Sequence, residues 1–242
     1  MIYEIAGLRV QIENQYEYTD KFCKEYLSED QNSPVDIIAT VTEEEFQAEK
    51  EQSTGFSDGY IENICLYRSI CVQLPVLNRM LLHCAVLEYR GKAYAFLGKS
   101  GTGKSTHSRL WKKFLTTPNM VNGDKPILEY KDGGFIAYGT PWKGKEGWGT
   151  NTSAPLCGLC FLEQAKENSI KRLSPAEVSS RLFTQILLPE EENNVVATLE
   201  LADKLIATTP AYLLGCDISE DAVRLSFEAL TGLSFLEYKS YD

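Results

Sequence analysis

Chemistry-bearing residues are densest at Gly98-Lys99-Ser100-Gly101-Thr102-Gly103-Lys104-Ser105-Thr106, which fits the order G-x-x-x-x-G-K-[ST] at every fixed position. Glycines in such a run let successive backbone N–H groups converge on an anion at the start of a helix. A lysine in the place of Lys104 reaches the outer phosphates of a nucleotide, and a hydroxyl in the place of Ser105 binds Mg²⁺. The spacing therefore predicts a nucleotide-phosphate site built on residues 98–106, set against the plainer reading of a glycine-rich turn with a coincidental lysine. A metal held at Ser105 calls for a second, acidic ligand at the end of a nearby strand. Asp124 in "MVNGDKP" is the expected partner, with a simple Asn-Gly-Asp turn as its competitor, while Asp132 in "KDGGF" reads as a hairpin turn.

Downstream, "YGTPWKGKEGWGTN" packs four glycines and two tryptophans into fourteen residues. Lys143 and Lys145 are the expected neutralisers of charge on a transferring phosphoryl group. Trp142 and Trp148 are read either as the lining or lid of a pocket or as aromatic pins of a long surface loop. His107 is placed on the helix after the glycine loop, within possible reach of phosphates or ribose. Cys157 and Cys160 in "CGLC" read as core thiols rather than a zinc or redox pair, because no second pair accompanies them. The acidic stretch at 189–194 suits a helix start, not a metal.

The elements that must position these residues follow from patterning. "AVLEYRGKAYAFLG" predicts a hairpin turning at Arg90-Gly91-Lys92, whose second strand runs into Gly98. An amphipathic helix over 104–114, a short strand in "NMVNGD" and a buried strand in "APLCGLCFLEQ" come next. "LSPAEVSSRLFTQ" carries a capping box from Ser174 to Glu177 with Pro175 in the first turn. A helix from about Glu190 to Thr208, a strand in "AYLLGCDI" and a last helix stopping at Gly232 complete the order. Residues 1–75 read as a strand-rich extension with "TEEEFQAEKEQ" as an exposed turn of helix, and "LPVLNRMLLHCAV" as an apolar helix leading into a strand. The expected class is α/β, of the α+β kind with a mixed sheet, divided into an extension at 1–75 packed on a core at 76–242.

Composition sets the outer bounds. The chain has 242 residues, a net charge of −10 and seven cysteines. That acidity argues against a nucleic-acid partner. No apolar run approaches the ~20 residues that span a bilayer, and the first residues do not form a secretory signal. A cytoplasmic protein with reduced thiols and no membrane partner is expected. Charge is nonetheless uneven: residues 99–145 hold nine Lys and Arg against three acids, an excess of six positive charges that leaves −16 for the rest. A basic island around a phosphate loop suggests a focused anion site. The absence of N-K-x-D, D-x-x-G and L-S-G-G-Q disfavours a regulatory GTPase or a transporter ATPase and leaves a small phosphotransferase or hydrolase.

With "LLHCAVLEYRGKAYAFLGKSGTGKST" and "VNGDKP" in view, the chain resembles the HPr serine kinase/phosphorylase family, whose nucleotide core is shared with ATP-dependent phosphoenolpyruvate carboxykinases. The resemblance spans residues 80–130 well and 131–240 loosely, and does not account for residues 1–75. In those kinases a histidine opens the same hairpin, and His83 falls at that place. The resemblance implies a phosphoenolpyruvate carboxykinase-like P-loop core, ATP and Mg²⁺ as cofactors, and transfer of the γ-phosphate to a hydroxyl acceptor. That acceptor is a protein or peptide serine or a small hydroxyl metabolite. Those kinases carry two adjacent aspartates at the acidic turn, whereas this chain reads Gly123-Asp124, so one carboxylate is missing. His83 is the expected substitute base, its chemistry suiting proton transfer near neutrality. The alternative, an ATP-binding sensor or scaffold without transfer, rests on the same missing carboxylate.

Overall fold

A computed structural model describes residues 1–240. The strand Cys84–Tyr89 (β5) is buried almost throughout, and so is its partner Lys92–Leu97 (β6). They form an antiparallel hairpin whose turn places Arg90 (φ 53°) and Gly91 (φ 76°) in the left-handed region, the two-residue geometry that matches strand twist. β6 then pairs in parallel with Ser153–Gln164 (β10), and β10 pairs in parallel with Ala211–Cys216 (β12). Asn119–Asn122 (β7) closes one edge against β5, and Ser169–Arg172 (β11) closes the other against β12. The first residues of β10 pair instead with Gly134–Tyr138 (β9), which continues to Ile127–Lys131 (β8) and Arg79–Leu81 (β4). One mixed sheet of nine strands thus turns a corner along β10.

This topology brings five chain segments to one end. The C-terminal ends of β6, β7, β10 and β12 lie there, together with the N-terminal end of β5. The carboxyl ends of parallel strands are where α/β sheets gather ligands. Helix Lys104–Phe114 (α4) packs beside Glu220–Thr231 (α7), with Trp111 fully buried and its Nε1 donating to Ser226 Oγ at 2.9 Å. Pro175–Leu182 (α5) starts on the predicted Ser174–Glu177 capping box, and Glu192–Thr208 (α6) and α7 lie close to their expected bounds.

The N-terminal part differs from expectation. Ile2–Ile5 (β1), Leu8–Ile12 (β2) and Ile37–Ala39 (β3) form a separate three-stranded sheet, but Glu17–Phe22 (α1), Glu43–Gln52 (α2) and Asp58–Gln73 (α3) cover more than twice as much chain. The sixteen-residue α3 escapes periodicity because it is buried nearly all round, including Ile61, Leu66, Tyr67 and Ile70. The expected helix in "LPVLNRMLLHCAV" is corrected. Pro75–Leu77 makes one tight turn, Asn78 is left-handed (φ 57°), and the apolar run beyond it enters β4 and β5. A run of uniform hydrophobicity suits a strand buried on both faces as well as a helix, and the left-handed asparagine decides between them. Leu81, Ile127 and Trp142 join the hydrophobic cluster of the small sheet, so the two sheets share packed side chains. All seven cysteines are free; Cys160 is buried and Cys157 half-buried in β10, whose register shifts between Leu156 and Gly158, so both thiols pack on the same hydrophobic cluster. Among the described residues no helix is long and apolar enough to cross a membrane.

Candidate functional site

The glycine loop leaves β6 at Leu97 and enters α4 at Lys104. Gly98 (φ 154°) has no room for a side chain: a Cβ there would lie 2.6 Å from Thr102 Oγ1 and 3.2 Å from the Leu162 carbonyl oxygen. The loop closes on itself through the Thr102 amide (3.1 Å) and hydroxyl (2.8 Å), both donating to the Lys99 carbonyl. Gly103 caps α4 without a side-chain hydrogen bond, so the first-turn amides meet no capping group. Free amides at a helix start attract an anion. Lys104 is 8% exposed and donates to the Gly98 carbonyl at 2.7 Å. Burial lowers its pKa, opposed by the charges of Asp124 and Cys84. A desolvated ammonium held by one carbonyl gains strongly from a negative ligand.

The acidic turn is fixed from below by two fully buried side chains. Asn122 Oδ1 accepts from the Asp124 and Lys125 amides at 2.9 and 2.7 Å, while its amide group donates to Thr140 at O (3.2 Å) and Oγ1 (3.0 Å). Thr140 Oγ1 donates in turn to the Lys125 carbonyl at 2.7 Å. The Asp124 carboxylate is thereby aimed at His83, whose Nε2 stands 3.1 Å from Oδ1, with Lys125 Nζ 4.0 Å from Oδ2. The Cys84 amide donates to the Asp124 carbonyl at 3.1 Å and the His83 amide to the Gln185 carbonyl at 2.8 Å, pinning both ends of the pair. Burial pushes the Asp124 carboxyl up, but the His83 hydrogen bond and the charges of His83, Lys125 and Lys104 outweigh it and hold the carboxyl below its usual range.

Residues 143–150 form a strap over this turn. The Gly123 amide donates to the Trp148 carbonyl at 2.8 Å, the Thr150 amide to the Val121 carbonyl at 3.2 Å, and Asn122 bridges to Gly149. A Cβ on Gly123 would lie 3.0 Å from the Lys143 carbonyl oxygen and 3.1 Å from that of Trp148. The strap backbone therefore stands where a side chain at 123 would begin. On Gly144 (φ 75°), a Cβ would sit 2.8 Å from the Asp124 Cβ.

His83, Ser100, Lys104, Ser105, Thr106, Asp124, Lys143 and Lys145 all line one cavity of about 590 Å³, bounded also by Gly101, Gly103, Gly123, Lys125, Gly144 and Glu146. Lys99 is exposed and lies outside that lining. Lys145 is exposed at the rim, whereas the Lys143 ammonium is turned to Glu25 at 2.5 Å. Trp142 does not line the cavity; it is 6% exposed, its Nε1 donates to Asn63 Oδ1 at 3.0 Å, and its ring packs 4.7 Å from that of Tyr67. Trp148 lies against α4 under Arg109 (4.8 Å) and Lys112 (5.9 Å). The tryptophans are pins of the strap. His107 also turns inward: 2% exposed, its Nε2 is 2.9 Å from Ser226 Oγ, and burial pushes its pKa down to about 3. A second cavity of about 370 Å³ lies across the loop, lined by Thr102, Thr106, Leu110, Cys216 and Ile218 among others.

Sequence reasoning missed Asn122, Thr140, Gly144 and Glu25. The Asn-Gly-Asp order carried the signal for an asparagine folding back on its own turn; Thr140 and Glu25 reach the site from distant segments and left none. Among the described residues no group of three His, Cys, Asp or Glu is placed to hold a metal by itself. No protein-family model matches the chain, and no curated protein matches it.

Proposed function

We propose that this chain is an ATP- and Mg²⁺-dependent kinase with an HPr-kinase-like, phosphoenolpyruvate carboxykinase-like core, passing the γ-phosphate to a hydroxyl acceptor. The observation that carries the reading is the His83–Asp124 pair, 3.1 Å apart, in the same cavity as Lys104, Ser105 and the glycine loop. The loop amides and Lys104 bind the phosphates, and the neighbouring cavity at Leu110 and Ile218 takes the base. One carboxylate and one hydroxyl form the sparse donor set that suits Mg²⁺, which keeps several waters and shares phosphate oxygens. Ser105 and Asp124 would hold it, and it would neutralise charge on the phosphates.

The acceptor oxygen bonds to the γ-phosphorus as the bond from that phosphorus to the β–γ bridging oxygen breaks, and ADP departs. With Nε2–H donated to Asp124, Nδ1 of His83 carries the free lone pair and takes the acceptor proton; Asp124 steadies the imidazolium that results. Lys104, Lys145 and a Lys143 released from Glu25 balance the charge on the phosphoryl oxygens. The reaction depends chiefly on position and charge, so one base suffices.

Incubation with γ-labelled ATP, Mg²⁺ and a panel of serine peptides and hydroxy acids tests the reading. Label on an acceptor, lost in Lys104→Ala, is the expected result; ATP binding with label on none contradicts it. The second reading, an ATP-binding module without transfer, is favoured by the strap carbonyls that crowd Gly123 and keep out a second carboxylate.

A further inference from the structure

A groove of about 300 Å³ opens beside the cavity, between the end of α1 with the turn after it and the strap. Lys21, Phe22, Lys24 and Glu25 form one wall; Pro141, Lys143, Gly144 and Gly147 form the other. Lys143 and Gly144 line both spaces, so only the strap backbone separates the groove from Asp124. That separation is thin, as a Cβ on Gly144 would stand 3.2 Å from the Asp124 Cγ.

The groove is basic in an acidic chain. Its acids are engaged: Glu25 with Lys143 at 2.5 Å, and Glu17, on the same helix, with Lys21 at 2.9 Å. The Lys21–Glu17 pair is fully in water and yields easily to another anion. Lys24 is exposed and makes no ion pair among the described residues. Across the strap, in the cavity, stand Lys125 and Lys145, with Asp124 and with Glu146, which pairs with Arg109.

An aromatic track leads outward from the same wall. Phe22 stacks on Tyr18 at 5.9 Å, Tyr18 meets Tyr60 edge-on at 6.0 Å, and Tyr60 stacks on Phe56 at 4.5 Å. Phe22 is 38% exposed, Tyr18 36% and Phe56 56%. Contiguous exposed rings mark a contact surface. A small hydroxy acid fills the cavity and leaves this track bare, whereas an extended peptide lying across the exposed strap at Gly144 and Lys145 reaches both.

Resting on the kinase reading above, we infer that the groove between Lys21–Glu25 and the strap binds the acceptor, and that the acceptor is a peptide segment with acidic residues beside its serine or threonine and an apolar residue further along. Lys21 and Lys24 select the acidic residues, and Phe22 with its stacked neighbours takes the apolar one. A single-stranded nucleic acid would meet the same lysines and rings, but also Glu17 and Glu25 and a chain of net charge −10.

The test uses the full chain saturated with Mg²⁺ and a non-hydrolysable ATP analogue, and fluorescent serine peptides read by anisotropy. One peptide has acids flanking the serine and a distal phenylalanine; its twin has lysines for the acids. The acidic peptide should bind about tenfold or more tightly than its twin. Lys21→Glu with Lys24→Glu should reverse that order without changing the thermal shift given by the analogue, a swap that mere loss of folding does not produce. Phe22→Ala should weaken the acidic peptide severalfold while keeping its preference over the twin, because both peptides carry the phenylalanine. Equal binding of the twins, binding of neither, or preference for a single-stranded oligonucleotide overturns the inference. Charge-selective peptide binding with no transfer from ATP would instead overturn the kinase reading and leave the groove a peptide site.

Discussion

The Nε2 of His83 stands 3.1 Å from Oδ1 of Asp124, although His83 immediately precedes β5 and Asp124 lies in the turn after β7, on opposite sides of the glycine loop in the sequence. The β5–β6 hairpin and the antiparallel pairing of β7 with β5 bring them together. If the pair acts as one unit, His83→Gln should lower kcat roughly a hundredfold or more while leaving nucleotide affinity near wild type. Asp124→Asn should lower kcat and also weaken the Mg²⁺ dependence of nucleotide binding. The double variant should lose little beyond the worse single one, a non-additivity read from steady-state kinetics.

Gly123 stands where the proposed kinase reading would place a second carboxylate. Restoring it as Gly123→Asp forces a side chain between the Lys143 and Trp148 carbonyls, 3.0 and 3.1 Å from the added Cβ. Equilibrium denaturation should show a loss of about 1–3 kcal/mol. Transfer should fall rather than rise, because the strap must lift to make room.

Trp142 ties the strap to the core of the small sheet through Tyr67 and Asn63. Trp142→Ala should cost about 3–5 kcal/mol in urea unfolding, as removal of a large buried ring does. Trp148→Ala, at a half-buried ring against α4, should cost less and act more on transfer than on stability.

The buried His107 gives the chain an acid-sensitive site outside the His83–Asp124 cavity, on the wall of the neighbouring one. Ser226 Oγ donates to the Val223 carbonyl at 3.0 Å and accepts from Trp111, so it receives Nε2–H from a neutral His107. Burial lowers the imidazole from its ordinary 6.5 to about 3, so in that interval the unfolded chain binds a proton that the folded chain does not. Stability should therefore fall as pH drops from about 6.5 towards about 3. His107→Gln should remove this part of the decline in unfolding measured across that range. The Asp124 contribution is separate: its carboxyl is held below 3.8, so its share of stability persists to lower pH and is lost only beneath that value.

Legibility followed locality. The hairpin, the loop, α4 and the acidic turn were readable because each is set by neighbouring residues: a left-handed turn, glycines, an amphipathic repeat, an Asn-Gly-Asp order. The 75–83 segment was misread because uniform hydrophobicity carries no period. α3 was missed for a related reason, being buried on most sides. The orientation of Lys143 and Trp142 depends on Glu25, 118 residues earlier, and on Asn63, 79 residues earlier, with Tyr67 on the same helix α3, and no local pattern encodes such partners.

The central claim is that the loop at 98–106 holds nucleotide phosphates against Lys104. Thermal unfolding with and without Mg²⁺-ATP, in wild type and in Lys104→Ala, tests it most directly. At ATP about a hundredfold above Kd the wild type should gain about 2.7 kcal/mol and a higher Tm. Lys104→Ala should keep its unliganded stability and lose nearly all of that gain. Equal stabilisation of both proteins by ATP would contradict the assignment.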